Sequence, residues 1–203
     1  ENVHACEIKG DALLRLGELQ TNSSKTEEVE ETYRQALDAV NRALEQANKN
    51  VYSYILKGHI LIKQGELQDN TARIKNGEEK YRLALEAASR ALELASENAY
   101  AFLIKGYAFL RLGELFQTLE AEIFCRQAVE AVKRALDVRP EFVYAYLIKG
   151  GALLRLGELQ TSESRRKELY QQALETINQA LIIDPNSRAA ITEKQNIIYK
   201  IAP

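Results

Sequence analysis

One block of sequence occurs four times in this chain, and it constrains the fold more than any other feature. The copies read NVHACEIKGDALLRLGELQ from Asn2, NVYSYILKGHILIKQGELQ from Asn50, NAYAFLIKGYAFLRLGELF from Asn98 and FVYAYLIKGGALLRLGELQ from Phe142. Each contains a Lys-Gly pair, and these pairs end at Gly10, Gly58, Gly106 and Gly150, in steps of 48, 48 and 44 residues. A second glycine follows seven residues later, at Gly17, Gly65, Gly113 and Gly157, where it is predicted to close the helix. Such regularity predicts an array of one repeated structural unit.

A second helical pattern follows each block. Small and apolar residues recur there at spacings of three and four, which is the stripe of a helix with one buried face. The second helices are predicted to begin near Lys25, Thr71, Leu119 and Glu163, after short polar breaks. Ser24 and Glu27 have the spacing of a capping box at the start of the first of them. Each repeat is therefore predicted to be a helical hairpin.

These residues resemble the tetratricopeptide repeat, and the resemblance covers nearly the whole chain. The position four residues before the first glycine, aromatic in that family, holds Cys6, Tyr54, Phe102 and Tyr146. The small residues of the second helix are Ala36/Val40/Ala43, Ala84/Ala88/Ala91, Ala128/Val132/Ala135 and Ala173/Ile177/Ala180. The closing proline is present at Pro140 and Pro185, while Asn48 and Ser96 replace it earlier, and the lysines of the Lys-Gly pairs depart from the family pattern. The resemblance implies an all-α, α/α superhelical solenoid of stacked antiparallel hairpins.

The organisation expected from this resemblance is a single repeat domain over residues 1–203. Its repeats span approximately 2–49, 50–97, 98–141 and 142–185, and residues 186–203 form a capping helix. The family unit has about 34 residues, so these repeats are expected to be an elongated variant whose extra residues lie between the two helices of each hairpin. The chain begins without Met and inside its first repeat, which indicates a fragment of a longer protein.

Composition narrows the function classes. Lys+Arg total 27 and Asp+Glu total 29, and the pI of about 5.9 argues against a nucleic-acid binder. No apolar run is long enough for a membrane span, so no membrane partner is expected. Cys6 and Cys125 are expected to be free thiols in a reducing, cytoplasmic compartment. His4 and His59 lie in different repeats and no catalytic or nucleotide motif occurs, so we expect no enzyme, metal site or cofactor.

The resemblance also implies a concave groove, lined by the first helices, that grips an extended peptide or a partner helix. By position in the repeat, its candidate residues are Tyr52, Ile55, His59, Lys63, Tyr100, Leu103, Tyr107, Arg111, Tyr144, Leu147 and Arg155, joined by His4, Glu7, Asp11, Arg15 and Gly151 and by Leu14, Ile62, Leu110 and Leu154. The family members that bind chaperone tails clamp a carboxylate with Lys, Asn and Arg. Tyr100 and Ile104 stand at two of the corresponding positions, so that activity is not expected.

A cation recurs in this predicted groove, at Arg15, Lys63, Arg111 and Arg155. Beside aromatic and aliphatic residues, this cation ladder favours an amphipathic, partly acidic protein or peptide partner. A solvated face inherited by all four repeats is the alternative. The lysines of the Lys-Gly pairs (Lys9, Lys57, Lys105 and Lys149) are instead predicted to pair with the glutamate after each second glycine (Glu18, Glu66, Glu114 and Glu158).

The hairpin tip of the third repeat is more apolar than its counterparts. Phe116, Leu119, Ile123 and Phe124 form this tip patch, which is predicted to be a second contact surface, a dimer contact or packing within the hairpins. The leading function is a protein–protein interaction module. The alternative is an architectural, self-associating segment of a large multidomain sensor or scaffold protein, and homo-oligomerisation stays open.

Overall fold

The computed structural model describes residues 2–21, 26–69, 74–117 and 119–201, and in these ranges it contains nine helices and no strand. They are α1 (Val3–Gln20), α2 (Thr26–Gln46), α3 (Val51–Asp69), α4 (Ile74–Leu94), α5 (Ala99–Leu115), α6 (Leu119–Val138), α7 (Val143–Glu158), α8 (Glu163–Ile183) and α9 (Arg188–Ile201). The all-α fold class is confirmed. α6 and α8 begin at the predicted residues and α2 begins one residue after Lys25. The predicted capping box at Ser24 and the predicted helix start at Thr71 lie outside the described residues.

The chain divides into two compact units, residues 1–104 and 105–203, with the boundary inside α5. In the first unit α1 packs on α2, α3 packs on α4, and α3 also contacts α2 and α1. In the second unit α7 packs on α6 and α8, and α9 covers α8 and touches α7. A single domain over residues 1–203 and the four repeat boundaries stay predictions.

The glycines show that the helices of a pair run in opposite directions. A Cβ placed on Gly10 would lie 2.6 Å from Val40 Cγ2, and one placed on Gly17 would lie 2.3 Å from the ring of Tyr33. Moving from Gly10 to Gly17 along α1 therefore means moving backwards along α2, so the pair is antiparallel. The same relation holds for Gly150 with Ile177 and for Gly157 with Tyr170 in the second unit.

The second glycine of each repeat does not close its helix, and that expectation was wrong. α1, α3, α5 and α7 continue past Gly17, Gly65, Gly113 and Gly157. Three of these glycines each pack against a tyrosine ring, in the pairs Gly17–Tyr33, Gly65–Tyr81 and Gly157–Tyr170. In each pair the ring lies too close to leave room for a methyl group on the glycine. The absent side chain lets the two helices pack closely, and the stability gained from this packing exceeds the stability lost by placing glycine inside a helix.

The third repeat solves the same packing problem differently. Cys125 takes the position of the tyrosine, and its Sγ lies where a Cβ on Gly113 would clash. Three phenylalanine rings also contact one another in this repeat: Phe109 of α5, Phe116 just after α5 and Phe124 of α6. The Phe124 ring lies 6.3 Å from the Phe109 centroid and 5.9 Å from the Phe116 centroid. These spacings are typical of favourable aromatic pairs.

Candidate interaction surfaces

Three tyrosines occupy the same position in the first turns of α3, α5 and α7. Tyr52, Tyr100 and Tyr144 are 49%, 50% and 66% exposed, which is high for so large a side chain. In α3 and α5 the backbone of this turn is fixed by the asparagine two residues earlier. Asn50 Oδ1 accepts from the Ser53 amide at 3.2 Å, and Asn98 Oδ1 accepts from the Ala101 amide at 3.0 Å. Capped helix ends of this kind hold the tyrosines on defined backbone positions.

The other candidate groove residues of these three helices are half-buried. The first unit contributes Ile55, His59, Lys63 and Leu103, and the second unit contributes Tyr107, Arg111, Leu147 and Arg155. One predicted position does not belong to a surface. Leu14, Ile62, Leu110 and Leu154 are buried core residues, because the helix face that they share turns toward the neighbouring helices.

Glu7 is a further correction to the predicted groove, since this carboxylate is buried. Its Oε1 accepts a hydrogen bond from Ser53 Oγ at 2.7 Å and another from Asn50 Nδ2 at 2.7 Å. These bonds join the second turn of α1 to the start of α3. A buried acid that is hydrogen-bonded in this way is tolerated and fixes a helix contact. Ile55, Leu103 and Leu147 stand at this position in the other repeats, so the repeat pattern gave no sign of the polar contact.

In the first unit, His59 and Lys63 of α3 face acids of α1 and α3. Lys63 Nζ lies 3.0 Å from Glu66 Oε2 and 3.8 Å from Glu18 Oε1, and His59 Nε2 lies 3.6 Å from the same Glu18 oxygen. Burial and the Lys63 charge lower the pKa of His59, so its imidazole is neutral at pH 7. Burial opposes the charge on Lys63, but Glu66 and Glu18 outweigh it and raise the pKa of this ammonium. Lys63 therefore remains charged and paired with the acids of its own unit.

Arg155, the cation-ladder residue of the fourth repeat, links α7 to the end of α5 through hydrogen bonds. Its Nη2 donates to the carbonyl of Phe116 at 2.8 Å and its Nε donates to that of Gly113 at 3.3 Å. Its Nη1 donates to Glu158 Oε2 at 3.2 Å, and Glu158 also pairs with Lys200 of α9. The guanidinium satisfies carbonyls that the end of a helix leaves without partners.

The predicted pairing of the Lys-Gly lysines was wrong. Among the described residues none of these four lysines has a carboxylate partner. Three of the glutamates after the second glycines pair instead with the cation three residues earlier, in Lys63–Glu66, Arg111–Glu114 and Arg155–Glu158. In the first repeat Arg15 donates from Nε to Asp11 Oδ2 at 2.9 Å. On a helix, residues three or four apart share a face, so these pairs form locally. Every member of the cation ladder thus has an acceptor within its own unit.

The tip patch separates into two parts. Phe116 and Phe124 are half-buried, and their rings contact each other in a tilted arrangement within the hairpin. Leu119 and Ile123, one turn apart on α6, point outward and are exposed. The described part of the chain contains no group of three or more His, Cys, Asp or Glu that could hold a metal ion. In the same part, no helix is both long and apolar enough to cross a membrane.

Stacked helical hairpins with glycine–tyrosine contacts and a repeated exposed face define a helical-repeat protein. The family model of the tetratricopeptide repeat matches residues 70–115 and 124–188, which is more than half of the chain. The chain therefore belongs to the tetratricopeptide repeat family, as the sequence blocks predicted. No curated protein is significantly similar to it in sequence.

Several solved structures are similar to this chain. A tetratricopeptide repeat protein of Thermus thermophilus, TTC0263, has a TM-score of 0.50 and 17% identity, over 94% of this chain and 99% of that chain. The second such domain of human RPAP3, solved with the HSP70 peptide SGPTIEEVD, has a TM-score of 0.47 and 18% identity, over 70% and 98%. The domain of Arabidopsis OM64 has a TM-score of 0.45 and 19% identity, over 71% and 96%. At these identities the likeness concerns the fold alone.

Proposed function

We propose that this chain is a protein-interaction module that binds a peptide or a partner helix through the exposed face of its first helices. The observation that carries the proposal is the recurrence of Tyr52, Tyr100 and Tyr144, exposed at one position of successive repeats. About half of the Tyr52 and Tyr100 side chains, and more of the Tyr144 side chain, lies in solvent, where a partner can cover it. Membership of the tetratricopeptide repeat family supports the proposal.

Exposed tyrosines on rigid helices suit binding for a physical reason. A tyrosine offers a large apolar face and a hydroxyl, yet only two side-chain torsions must be fixed when it is covered. Its helix is already ordered, so little conformational entropy is lost on association. The proposed contact residues in the first unit are Tyr52, Ile55, His59, Lys63, Tyr100 and Leu103; in the second unit they are Tyr107, Arg111, Tyr144, Leu147 and Arg155.

The partner chemistry that we propose is amphipathic, with apolar side chains for the tyrosines and some acidic groups for the cations. Lys63, Arg111 and Arg155 already have carboxylate acceptors, so an acidic ligand must share or exchange these partners. Arg15 is the most exposed of the four cations, with a side chain 73% exposed. We therefore expect most of the affinity to come from apolar contacts and only a modest part from the acids.

The test is selection of binding peptides from a displayed random library, followed by fluorescence anisotropy with the strongest peptide. Tyr52→Ala/Tyr100→Ala probes the first unit and Tyr144→Ala probes the second. Tyr199→Ala, which removes an exposed tyrosine of α9, is the matched control. A central interface tyrosine contributes more than about 1 kcal/mol, so at least one probe should weaken binding about fivefold or more, with the control unchanged. Equal affinity of all variants, or no enriched peptide, would refute the proposal.

The remaining parts of the proposal follow from the family and the sequence. We propose that the chain acts without catalysis, that its repeats are an elongated variant of the family and that it works in the cytoplasm. An architectural, self-associating role is the second candidate, and one observation favours it: Leu119 and Ile123 of the tip patch are apolar, exposed and one turn apart on α6.

A further inference from the structure

Gly151 of α7 is an interior helical glycine that close packing does not explain. The eight glycines of the repeat pattern each lie against a neighbouring helix, and a Cβ on any of them would stand 2.7 Å or less from one of its side chains. Among the described residues, a Cβ on Gly151 would meet only Leu110 Cδ2, at 3.3 Å. Because an interior glycine weakens a helix, stability alone does not favour glycine at this position.

The other repeats carry a side chain at the position of Gly151. The residues that stand there are Asp11, His59 and Tyr107. In α3 the side chain at this position reaches the preceding first helix, since His59 Nε2 lies 3.6 Å from Glu18 Oε1 of α1. On α7 no side chain starts from this position, so the space beside the helix backbone stays open. We call this space beside Gly151 the Gly151 notch.

The side chains around the Gly151 notch are apolar or aromatic. Leu110 of α5 lies beneath it, and Tyr107, one turn earlier on α5, is half-buried on the same face of that helix. On α7, Leu147 stands one turn before Gly151 and is also half-buried. Tyr144, two turns before Gly151, shares this face and is 66% exposed. The notch therefore continues an apolar surface that begins at an exposed ring.

The cation on this face of α7 is held away from the Gly151 notch. Arg155 follows Gly151 by one turn, and its Nη2 and Nε donate to the carbonyls of Phe116 and Gly113 at the end of α5. Its Nη1 donates to Glu158 Oε2, and only 14% of the side chain is exposed. Turning this guanidinium toward a ligand would break bonds to partly buried carbonyls, which is costly. The notch thus suits an uncharged group and does not favour an acid.

We propose that the Gly151 notch binds one large apolar side chain, such as leucine or phenylalanine, of the bound peptide or helix and so sets the specificity of the second unit. The inference rests on the proposed function. A side chain seated there displaces water from Leu110, Leu147 and the ring of Tyr107, which favours binding. It also reaches the backbone of α7, an approach that a Cβ on this residue would prevent. The exposed tyrosines then supply general apolar contact, and the notch selects the size of one ligand residue.

Peptide selection with a filled notch tests the assignment. A displayed random library is selected by the wild-type chain and, separately, by Gly151→Leu. The wild-type peptides should share one large apolar residue, whereas Gly151→Leu should enrich glycine, alanine or serine at that place. Gln171→Leu, which adds a leucine at an exposed position of α8, is the matched control and should select the wild-type consensus. Circular dichroism should show each variant folded. One consensus shared by all three selections would overturn the proposal.

Fluorescence anisotropy with the strongest wild-type peptide measures the coupling between the notch and the ligand residue. Replacing the large apolar residue of the peptide by alanine should weaken binding to the wild-type chain about tenfold or more, because most of its buried area is lost. The same replacement should change binding to Gly151→Leu less than about threefold, since the notch is already filled. Gly151→Ala, which intrudes less, should fall between the two.

The failure of this inference differs from the failure of the proposed function. Weaker binding by Tyr144→Ala together with full affinity of Gly151→Leu would overturn the notch and leave the proposed function standing. Binding that depends on Tyr52 and Tyr100 but on neither Tyr144 nor Gly151 would do the same. No enriched peptide, or equal affinity of all tyrosine variants, would overturn both.

Discussion

Gly150 and Gly151 are neighbours on α7 with opposite surroundings, and they give a sharp test of the packing argument. A Cβ on Gly150 would lie 2.5 Å from Ile177 Cδ1 and 2.8 Å from its Cγ1, and Ile177 is fully buried. A Cβ on Gly151 would meet only Leu110 Cδ2, at 3.3 Å. Replacing an interior helical glycine by alanine gains about 1 kcal/mol in helix propensity at either position. Overpacking at Gly150 costs about 1–3 kcal/mol, whereas the tip of Leu110 can move aside.

The two variants should therefore differ in unfolding free energy by about 1–3 kcal/mol, since the propensity gain cancels in the comparison. Gly151→Ala should be stabilising and Gly150→Ala neutral to destabilising, measured by urea denaturation followed at 222 nm. Ile177→Val removes the atom nearest to the new methyl group, so it should cost less in the Gly150→Ala background than in the wild type. Equal changes for the two alanine variants would refute the packing explanation of the repeated glycine.

Three further predictions concern buried polar and titratable groups. Burial and the Lys63 charge hold the pKa of His59 in the folded chain below its value in the unfolded chain. The free energy of unfolding should therefore fall as the pH drops through about 6.5. In a plot of the urea midpoint against pH, His59→Gln should flatten this part of the curve. Burial raises the pKa of Cys125 to about 12, so at pH 8 a thiol reagent should label it only at the rate of unfolding, as followed by mass spectrometry. Fast labelling of the native chain would contradict its burial. Glu7→Leu should cost about 1–3 kcal/mol in urea denaturation by stranding Ser53 Oγ, whereas Glu7→Gln, which keeps an acceptor, should cost less.

The sequence was sufficient for the repeat and for much of the fold, because both depend on spacing alone. The seven-residue step between the two glycines of each repeat places them two helical turns apart, and both lie against the facing helix. The small residues Ala36, Val40 and Ala43 are buried as their helical period requires. α6 and α8 begin at Leu119 and Glu163, where the sequence predicted their starts.

The sequence failed where a side chain had a choice of partners. Each Lys-Gly lysine stands nine residues before the glutamate, which places it on the opposite side of the same helix, whereas the arginine or lysine three residues before Glu66, Glu114 or Glu158 shares the glutamate's face. The burial of Glu7 depends on Asn50 and Ser53, which are more than forty residues away in sequence. Copies of a repeat that share one pattern can differ in what surrounds them. Periodicity identifies a helix face but not its neighbour.

The central claim is that the first helices of the hairpins form the binding face. Hydrogen–deuterium exchange of the chain with and without a selected peptide tests it most directly, because each helix gives separate fragments. The account predicts that bound peptide slows exchange at the tyrosine-bearing starts of α3, α5 or α7 and leaves α4, α6 and α8 unchanged. Slowed exchange confined to the second helices, or at the Leu119 tip, would contradict it.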